Sequence, residues 1–191
     1  MSRSFVPIYH KKTANYTLYY DYKENYFFKV KVSKQHSFLP MLSGTAGIVI
    51  YALFKTTVLD WGDTSPTSVV LFSLLISCVI SLVLIGGISY SIKKNIDVHK
   101  VIVTLSQEEM RHYLYEGNKW FKSNMLLFCF LVFFVCLNIA IIFHMPNSGL
   151  FFFTNIGLST VMILLFWGMK PIKRKKIYKL LKKELENNDK S

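Results

Sequence analysis

The sequence predicts an all-α membrane protein in which a four-helix transmembrane bundle carries a small cytoplasmic layer made of a β-hairpin and a helix. Two observations predict this fold. Four apolar stretches reach the length of about 20 residues that a helix needs to cross a hydrocarbon core roughly 30 Å thick. The large clusters of Lys and Arg all lie outside these stretches, which are residues 38–58, 68–92, 125–144 and 150–169.

The net charge of +12 is distributed unevenly along the 191 residues. The connections after the first and third stretches contain Asp60 and Asp63 but no Lys or Arg. Cationic loops resist translocation, so we expect both termini and the middle segment to lie in the cytoplasm of a bacterium, with two short loops outside its plasma membrane. The charge then reflects attraction to anionic lipid of the inner leaflet, and we expect no nucleic-acid partner.

The apolar stretches divide the chain into five parts. Each cytoplasmic part precedes or follows a pair of spans. The parts are a cytoplasmic segment with a β-hairpin (1–36), transmembrane helices 1 and 2 (37–92), a cytoplasmic strand-helix segment (93–123), transmembrane helices 3 and 4 (124–169) and a basic amphipathic C-terminal helix (170–191).

The N-terminal segment contains a predicted β-hairpin over residues 15–32, NYTLYYDYKENYFFKVKV. Two aromatic and β-branched runs flank residues 21–25, which have turn chemistry. Apolar and Lys residues alternate in the second run, which predicts one apolar and one cationic face. A lone two-stranded hairpin is marginal in water, so it needs another strand, a helix or the membrane surface. The Val- and Ile-rich residues 98–105 are the candidate third strand.

A capping box predicts a helix after this strand, because Ser106 is followed three residues later by Glu109. We expect Gly117 to end that helix. Trp120 and Phe121 then follow where the chain re-enters the membrane, as interfacial aromatic residues do.

The C-terminal residues 171–188 combine dense Lys with an apolar stripe, which predicts an amphipathic helix. We expect this helix to lie on the inner leaflet. The alternative is that it docks onto the cytoplasmic layer. The stripe consists of Ile177, Leu180, Leu181 and Leu185.

Two amides, Asn138 and Asn155, are candidates for an intramembrane polar contact. Each lies about 9 Å below the outer boundary at a rise of about 1.5 Å per residue. The tight connection at 144–149 makes the third and fourth spans antiparallel neighbours, so we predict a hydrogen bond between the two amides, with a net gain near 1 kcal/mol or less. A structural clamp and a contact with a partner or toxin are both open as its role.

Small residues mark candidate faces for helix packing or for a partner. Ser73, Ser77 and Ser81 recur every four residues in the second span, and Ser43 and Gly47 have the same spacing in the first. Small residues at this spacing let helix backbones approach closely. Folding of the bundle on itself and association with another membrane protein are the two interpretations.

No pattern in the chain predicts an enzyme, a metal site or a cofactor. The GxGxxG, P-loop, HExxH and CxxC motifs are all absent. Cys78, Cys129 and Cys136 lie inside predicted spans and give no disulfide framework. Coupled transport usually needs a charged group at mid-depth, and the predicted spans have none there, so we expect a protein that binds a partner in the membrane.

Three segments carry a resemblance to a known family: the hairpin NYTLYYDYKENYFFKVKV, the Pro-containing SFLPMLSG at the start of the first span, and KVIVTLSQEEMRHYLYEG between the span pairs. In layout, the chain resembles the tandem five-transmembrane family of Gram-positive bacteria, although four spans are predicted here rather than five. That family includes immunity proteins that protect a producing cell from membrane-depolarising toxins of the type VII secretion system.

The resemblance implies a non-enzymatic immunity protein that neutralises a membrane-targeting, pore-forming toxin by binding it in the bilayer. An accessory or regulatory subunit of a membrane transporter or secretion complex is the alternative. A small transporter or channel for a neutral solute is a third possibility.

Overall fold

The computed structural model describes residues 5–11, 15–31 and 57–188, which are mostly helical and include a small antiparallel sheet. In chain order the elements are β1 (Phe5–Lys11), β2 (Tyr16–Asp21), β3 (Tyr26–Lys31), α1 (Pro66–His99), β4 (Lys100–Val103), α2 (Gln107–His144), α3 (Gly149–Met169) and α4 (Pro171–Asn188).

The described residues form two compact units. The sheet unit consists of the four strands, the end of α1, the start of α2, the end of α3 and the whole of α4. The helical unit consists of residues 57–87 and 127–165. The basic segments of the chain therefore belong to the sheet unit, and the apolar parts of the helices belong mainly to the helical unit.

Three helical stretches are long and apolar enough to cross a membrane: α1, α2 and Gly149–Asn187, which comprises α3 and nearly all of α4. Many large apolar side chains of these stretches are exposed; Leu71 is 61% exposed and Phe130 is 54% exposed. Broad exposed apolar surfaces are rare on soluble monomers, so these helices are consistent with a multi-pass membrane protein. The first predicted span, including Ser43 and Gly47, lies outside the described residues apart from its last two.

The predicted hairpin is confirmed: β2 and β3 are antiparallel, with Tyr20 opposite Phe27. Its turn includes Asn25 with φ of 53°, a left-handed conformation that Asn tolerates better than most residues. The candidate third strand is also confirmed, since β4 pairs with β3 and places Ile102 opposite Phe28.

The first strand, β1, was not among the predicted elements. It pairs with β2 at the edge of a sheet ordered β1-β2-β3-β4, and the pairing shifts register between Pro7 and Tyr9. Proline lacks an N–H donor and is confined to edge strands and bulges. Pro7 therefore makes this segment look less like a strand in the sequence, but it is compatible with an edge strand that contains a register shift.

Each face of the sheet contributes buried apolar side chains to a core, so the prediction of one apolar and one cationic face is wrong. One face contributes Leu18, Tyr20 and Phe27 to a core with α4, whereas Phe28 and Val30 on the other face pack against the end of α1. Lys29 falls within the first face and lies over the rings of Tyr16 and Tyr113, 5.2 and 6.0 Å from their centroids. A cation placed over aromatic faces tolerates partial burial.

The C-terminal helix packs against the sheet, so the expectation that its apolar stripe lies on the leaflet is wrong and the docking alternative is the one observed. Ile177, Leu181 and Leu185 are 4%, 1% and 6% exposed, and only Leu180 of the stripe remains 59% exposed. The physical reason is that a sheet with apolar residues on both faces needs a cover on each.

Helix α2 begins at the predicted capping box: the Ser106 N–H donates to Glu109 Oε2 at 3.1 Å, and the Glu109 N–H donates to Ser106 Oγ at 3.2 Å. However, Gly117 does not end the helix, which continues to His144. The predicted cytoplasmic helix and third span are therefore one helix. A Cβ at Gly117 would overlap the Tyr178 hydroxyl and the Ile8 carbonyl oxygen, so close packing explains this glycine.

We expect Gly117→Ala to lower the free energy of unfolding by about 2 kcal/mol, because overlap with a backbone carbonyl outweighs the roughly 1 kcal/mol that alanine gains as a helix former. Thermal unfolding in detergent measures the effect. Gly157→Ala is the matched control, since a Cβ there meets nothing within 4 Å. Equal melting temperatures for the two variants would contradict the role assigned to Gly117.

Candidate functional site

The helical unit contains a row of buried polar side chains, which we call the polar seam. None of them is more than 8% exposed. The polar seam consists of Ser73, Ser77 and Ser81 on α1 and Asn155, Ser159 and Thr160 on α3.

Hydrogen bonds across the polar seam join α1 to α3. Asn155 Nδ2 donates to Ser73 Oγ at 2.7 Å, and Ser77 Oγ lies 3.2 Å from the carbonyl oxygen of Ile156. The Ser77 hydroxyl also lies 2.7 Å from the carbonyl oxygen of Ser73, one turn earlier. The structure thus places the serine face against a neighbouring helix of the same chain.

Asn138 and Asn155 do not bond to each other. Asn138 Nδ2 donates to the carbonyl oxygen of Phe151 at 2.9 Å, so Asn138 links α2 to α3 and Asn155 links α3 to α1. Phe151 precedes Asn155 by four residues, about one helical turn. The predicted pair fails because the amide of Asn138 is offset along α3 by that turn.

Some oxygen atoms in the polar seam have no hydrogen-bond partner: Asn155 Oδ1, Ser81 Oγ, Ser159 Oγ and Thr160 Oγ1. A buried polar atom without a partner costs about 1–3 kcal/mol, so they mark the least favourable surroundings in the unit. None of these groups titrates near neutral pH, and the polar seam offers hydrogen bonding without acid–base chemistry.

The two predicted outer loops meet in the helical unit. The Leu59 N–H donates to the Asn147 carbonyl oxygen at 2.8 Å, and the Gly149 N–H donates to the Thr57 carbonyl oxygen at 2.9 Å. A Cβ at Gly149 would lie 2.7 Å from that same Thr57 oxygen, so a glycine is required for the approach. The start of α1 and the start of α3 are thereby held at one end of the unit.

Arg174 joins three elements of the sheet unit and was missed in the sequence, where it was one more cation of the predicted basic amphipathic helix. It is 1% exposed. Its Nη2 donates to the carbonyl oxygens of Ile8 at 2.7 Å and Gly117 at 2.9 Å, which connects α4 to β1 and α2. The available signal was spacing: Arg174 precedes Ile177 by three residues and Leu181 by seven, and therefore lies on the buried stripe.

Aromatic rings provide the rest of the environment of this guanidinium. Its carbon lies 4.9 Å from the centroid of Trp120 and 5.2 Å from that of Phe121, and Nη2 lies 3.0 Å from the Tyr178 hydroxyl. Among the described residues, no carboxylate lies within ion-pair distance of it. Two carbonyl dipoles and cation–π contacts replace part of the lost hydration, whereas Nε and Nη1 are buried with no hydrogen-bond partner among the described residues.

The surroundings of two tyrosines of the sheet raise the pKa of their phenols. Burial, and then the hydrogen bond with the Tyr113 hydroxyl, raises the pKa of Tyr16. Burial, followed by the nearby charges of Glu184 and Asp21, raises the pKa of Tyr20. Both phenols therefore stay protonated into the alkaline range in which an ordinary tyrosine ionises.

Comparisons with protein-family models, characterised proteins and solved structures yield no match to this chain. The resemblance in layout to the tandem five-transmembrane family thus stays a prediction. In the part of the chain that the structure describes, no group of three His, Cys, Asp or Glu side chains is placed to hold a metal ion. The arrangement supports packing of the helices against one another.

We expect a double-mutant cycle to find a coupling of about 1 kcal/mol between Asn155→Ala and Ser73→Ala, because their hydrogen bond crosses between helices in an apolar medium. The matched cycle between Asn155→Ala and Asn138→Ala should give coupling below about 0.5 kcal/mol, since these side chains are not partners. Unfolding in mixed micelles of increasing SDS content measures both. Stronger coupling in the second cycle would mean that the two amides do pair.

Proposed function

We propose that the protein is a non-enzymatic immunity protein of a bacterial plasma membrane, which neutralises a membrane-targeting toxin by binding it within the bilayer. The carrying observation is a broad apolar and aromatic face on α2 that remains exposed among the described residues 5–11, 15–31 and 57–188. Its members follow helical spacing and are 45–61% exposed. They are Leu126, Phe130, Phe133 and Leu137.

The chemistry of this face suits another membrane helix. Lipid tails already solvate apolar side chains, so association in a bilayer depends on packing area rather than on the hydrophobic effect. Phe130 and Phe133 supply large, stiff surfaces for such packing. The polar seam is a less suitable contact for a partner, because Ser73, Ser77 and Ser81 are buried within this chain.

The lack of charged residues in the apolar parts of the helices supports the binding of a partner rather than ion-coupled transport. Residues 66–92, 125–143 and 149–169 contain no Asp, Glu, Lys or Arg. A coupled pump needs a charged group to carry or exchange at mid-depth. A protein that holds a toxin in a non-conducting state needs only a complementary surface.

The proposal includes four spans, with residues 38–58 as the first and both termini in the cytoplasm. The clustering of Lys and Arg outside the apolar stretches supports this orientation, because cationic segments resist translocation.

We expect expression of the protein in a sensitive strain to preserve the membrane potential when a toxin encoded beside it is supplied. Phe130→Ala with Phe133→Ala should lower the protective limit about tenfold in toxin dose, because truncating central aromatic contacts costs at least 1.4 kcal/mol. A potential-sensitive dye measures depolarisation.

The matched control is Leu75→Ala with Leu82→Ala, which truncates side chains that are 59% and 69% exposed on α1. This variant should protect like the unaltered protein. Depolarisation that is identical with and without the protein, for every co-encoded toxin, rules the proposal out.

A second candidate function, an accessory or regulatory subunit of a transporter or secretion complex, is favoured by the edge of the sheet. Val101 and Ile102 of β4 are 59% and 64% exposed, and an apolar edge strand can pair with a strand of another protein.

We expect Ile102→Lys to abolish detergent-stable co-purification with such a complex if this second function holds, because the substitution puts a charge into the strand contact. Tyr115→Lys, at a residue 70% exposed on α2, is the control and should leave co-purification intact. Retention of the complex by Ile102→Lys would argue against an edge-strand contact.

A further inference from the structure

A small cleft opens in the sheet unit beside the last turn of α3. Its walls combine aromatic rings with aliphatic groups and one cation. The residues that line it include Phe5, Tyr19, Ile92, Trp167, Gly168 and Lys170.

Gly168 lines the cleft and leaves open space beside its backbone. A Cβ at Gly168 would meet no atom within 4 Å, so the space beside it is empty rather than closely packed. Trp167 and Ile92 belong to helices long and apolar enough to cross a membrane. The cleft therefore has apolar walls and lies at the ends of the apolar runs of α1 and α3.

Lys170 brings positive charge to this apolar cleft. Its Nζ donates to the Phe5 carbonyl oxygen at 3.0 Å and lies 5.3 Å from the centroid of the Phe5 ring. The backbone of Lys170 has φ of 45°, a left-handed conformation at the end of α3 where glycine is the usual residue. A lysine at this position costs backbone strain, and its side chain supplies a charge that glycine could not.

We propose that this cleft binds a glycerophospholipid with an anionic headgroup. Lys170 would contact the phosphate, and the acyl chain would lie against Trp167, Ile92 and the open side of Gly168. Charge complementarity and continuity with a membrane-spanning helix favour a lipid over a soluble ligand, since basic pockets at the ends of transmembrane helices suit anionic headgroups. The inference goes beyond toxin binding and does not depend on it.

The test uses Trp167 as the reporter in the full chain. Trp61→Phe and Trp120→Phe leave Trp167 as its one tryptophan, and the protein is reconstituted in bilayers doped with lipid brominated on the acyl chain. Half-maximal quenching of Trp167 should require an about fivefold lower mole fraction of brominated phosphatidylglycerol than of brominated phosphatidylcholine.

Three substitutions distinguish the effect of the Lys170 charge from the effect of the open space beside Gly168. Lys170→Met should bring the two quenching curves together, and Lys170→Arg should restore the preference for the anionic lipid. Gly168→Leu, which fills the cleft without removing charge, should also abolish the preference. Lys179→Met is the control, because it removes an exposed charge elsewhere on α4, and it should leave the preference unchanged.

Equal quenching by the two lipids in the parent protein would overturn the proposal, as would an unchanged preference in Lys170→Met. Soluble glycerol 3-phosphate distinguishes the source of the phosphate. If it leaves quenching unaffected, the lipid assignment is supported. If it relieves quenching by phosphatidylglycerol, the cleft binds a soluble phosphate ester and the lipid assignment is wrong.

Discussion

The sheet unit depends on one buried cation. Arg174 donates hydrogen bonds to carbonyl oxygens on β1 and α2 and lies against the rings of Trp120 and Phe121. Removing a guanidinium from water is costly unless dipoles and π faces replace its hydration, so each of these elements has to be in place for the charge to be tolerated. Gly117 belongs to the same arrangement, because its missing Cβ leaves room for the Ile8 carbonyl and the Tyr178 hydroxyl.

A different constraint governs the helical unit. In hydrocarbon every backbone polar group must be satisfied internally, which selects helices, and buried side-chain polarity is useful only where it joins one helix to another. Asn138 and Asn155 meet this condition by bonding to Phe151 and Ser73. With these polar groups turned inward, the exposed side chains of α1 and α2 in this unit are mainly apolar, which is consistent with membrane-spanning helices.

Residue patterns predicted the capping box and the hairpin correctly, but they did not predict which distant residues the buried polar side chains contact. The capping box at Ser106 and the hairpin turn depend on neighbours in sequence, and both are present. The partner of Asn155 depends on how α1 and α3 align, which a depth estimate from span ends does not resolve. The position of Arg174 could have been found from its spacing to Ile177, because a residue three positions earlier lies on the same face of a helix.

The sequence by itself predicted four stretches long and apolar enough for a membrane, of which the described residues contain three as helices, and a Tyr-rich hairpin before them, since length, hydropathy and turn chemistry are local properties. Only the tertiary structure decided that α4 covers the sheet, that α2 continues through Gly117, and that a cleft opens beside Lys170. Each of these outcomes depends on contacts between residues far apart in the chain, where the free energy of packing outweighs the local preference of a helix for the leaflet or of a glycine for a helix end.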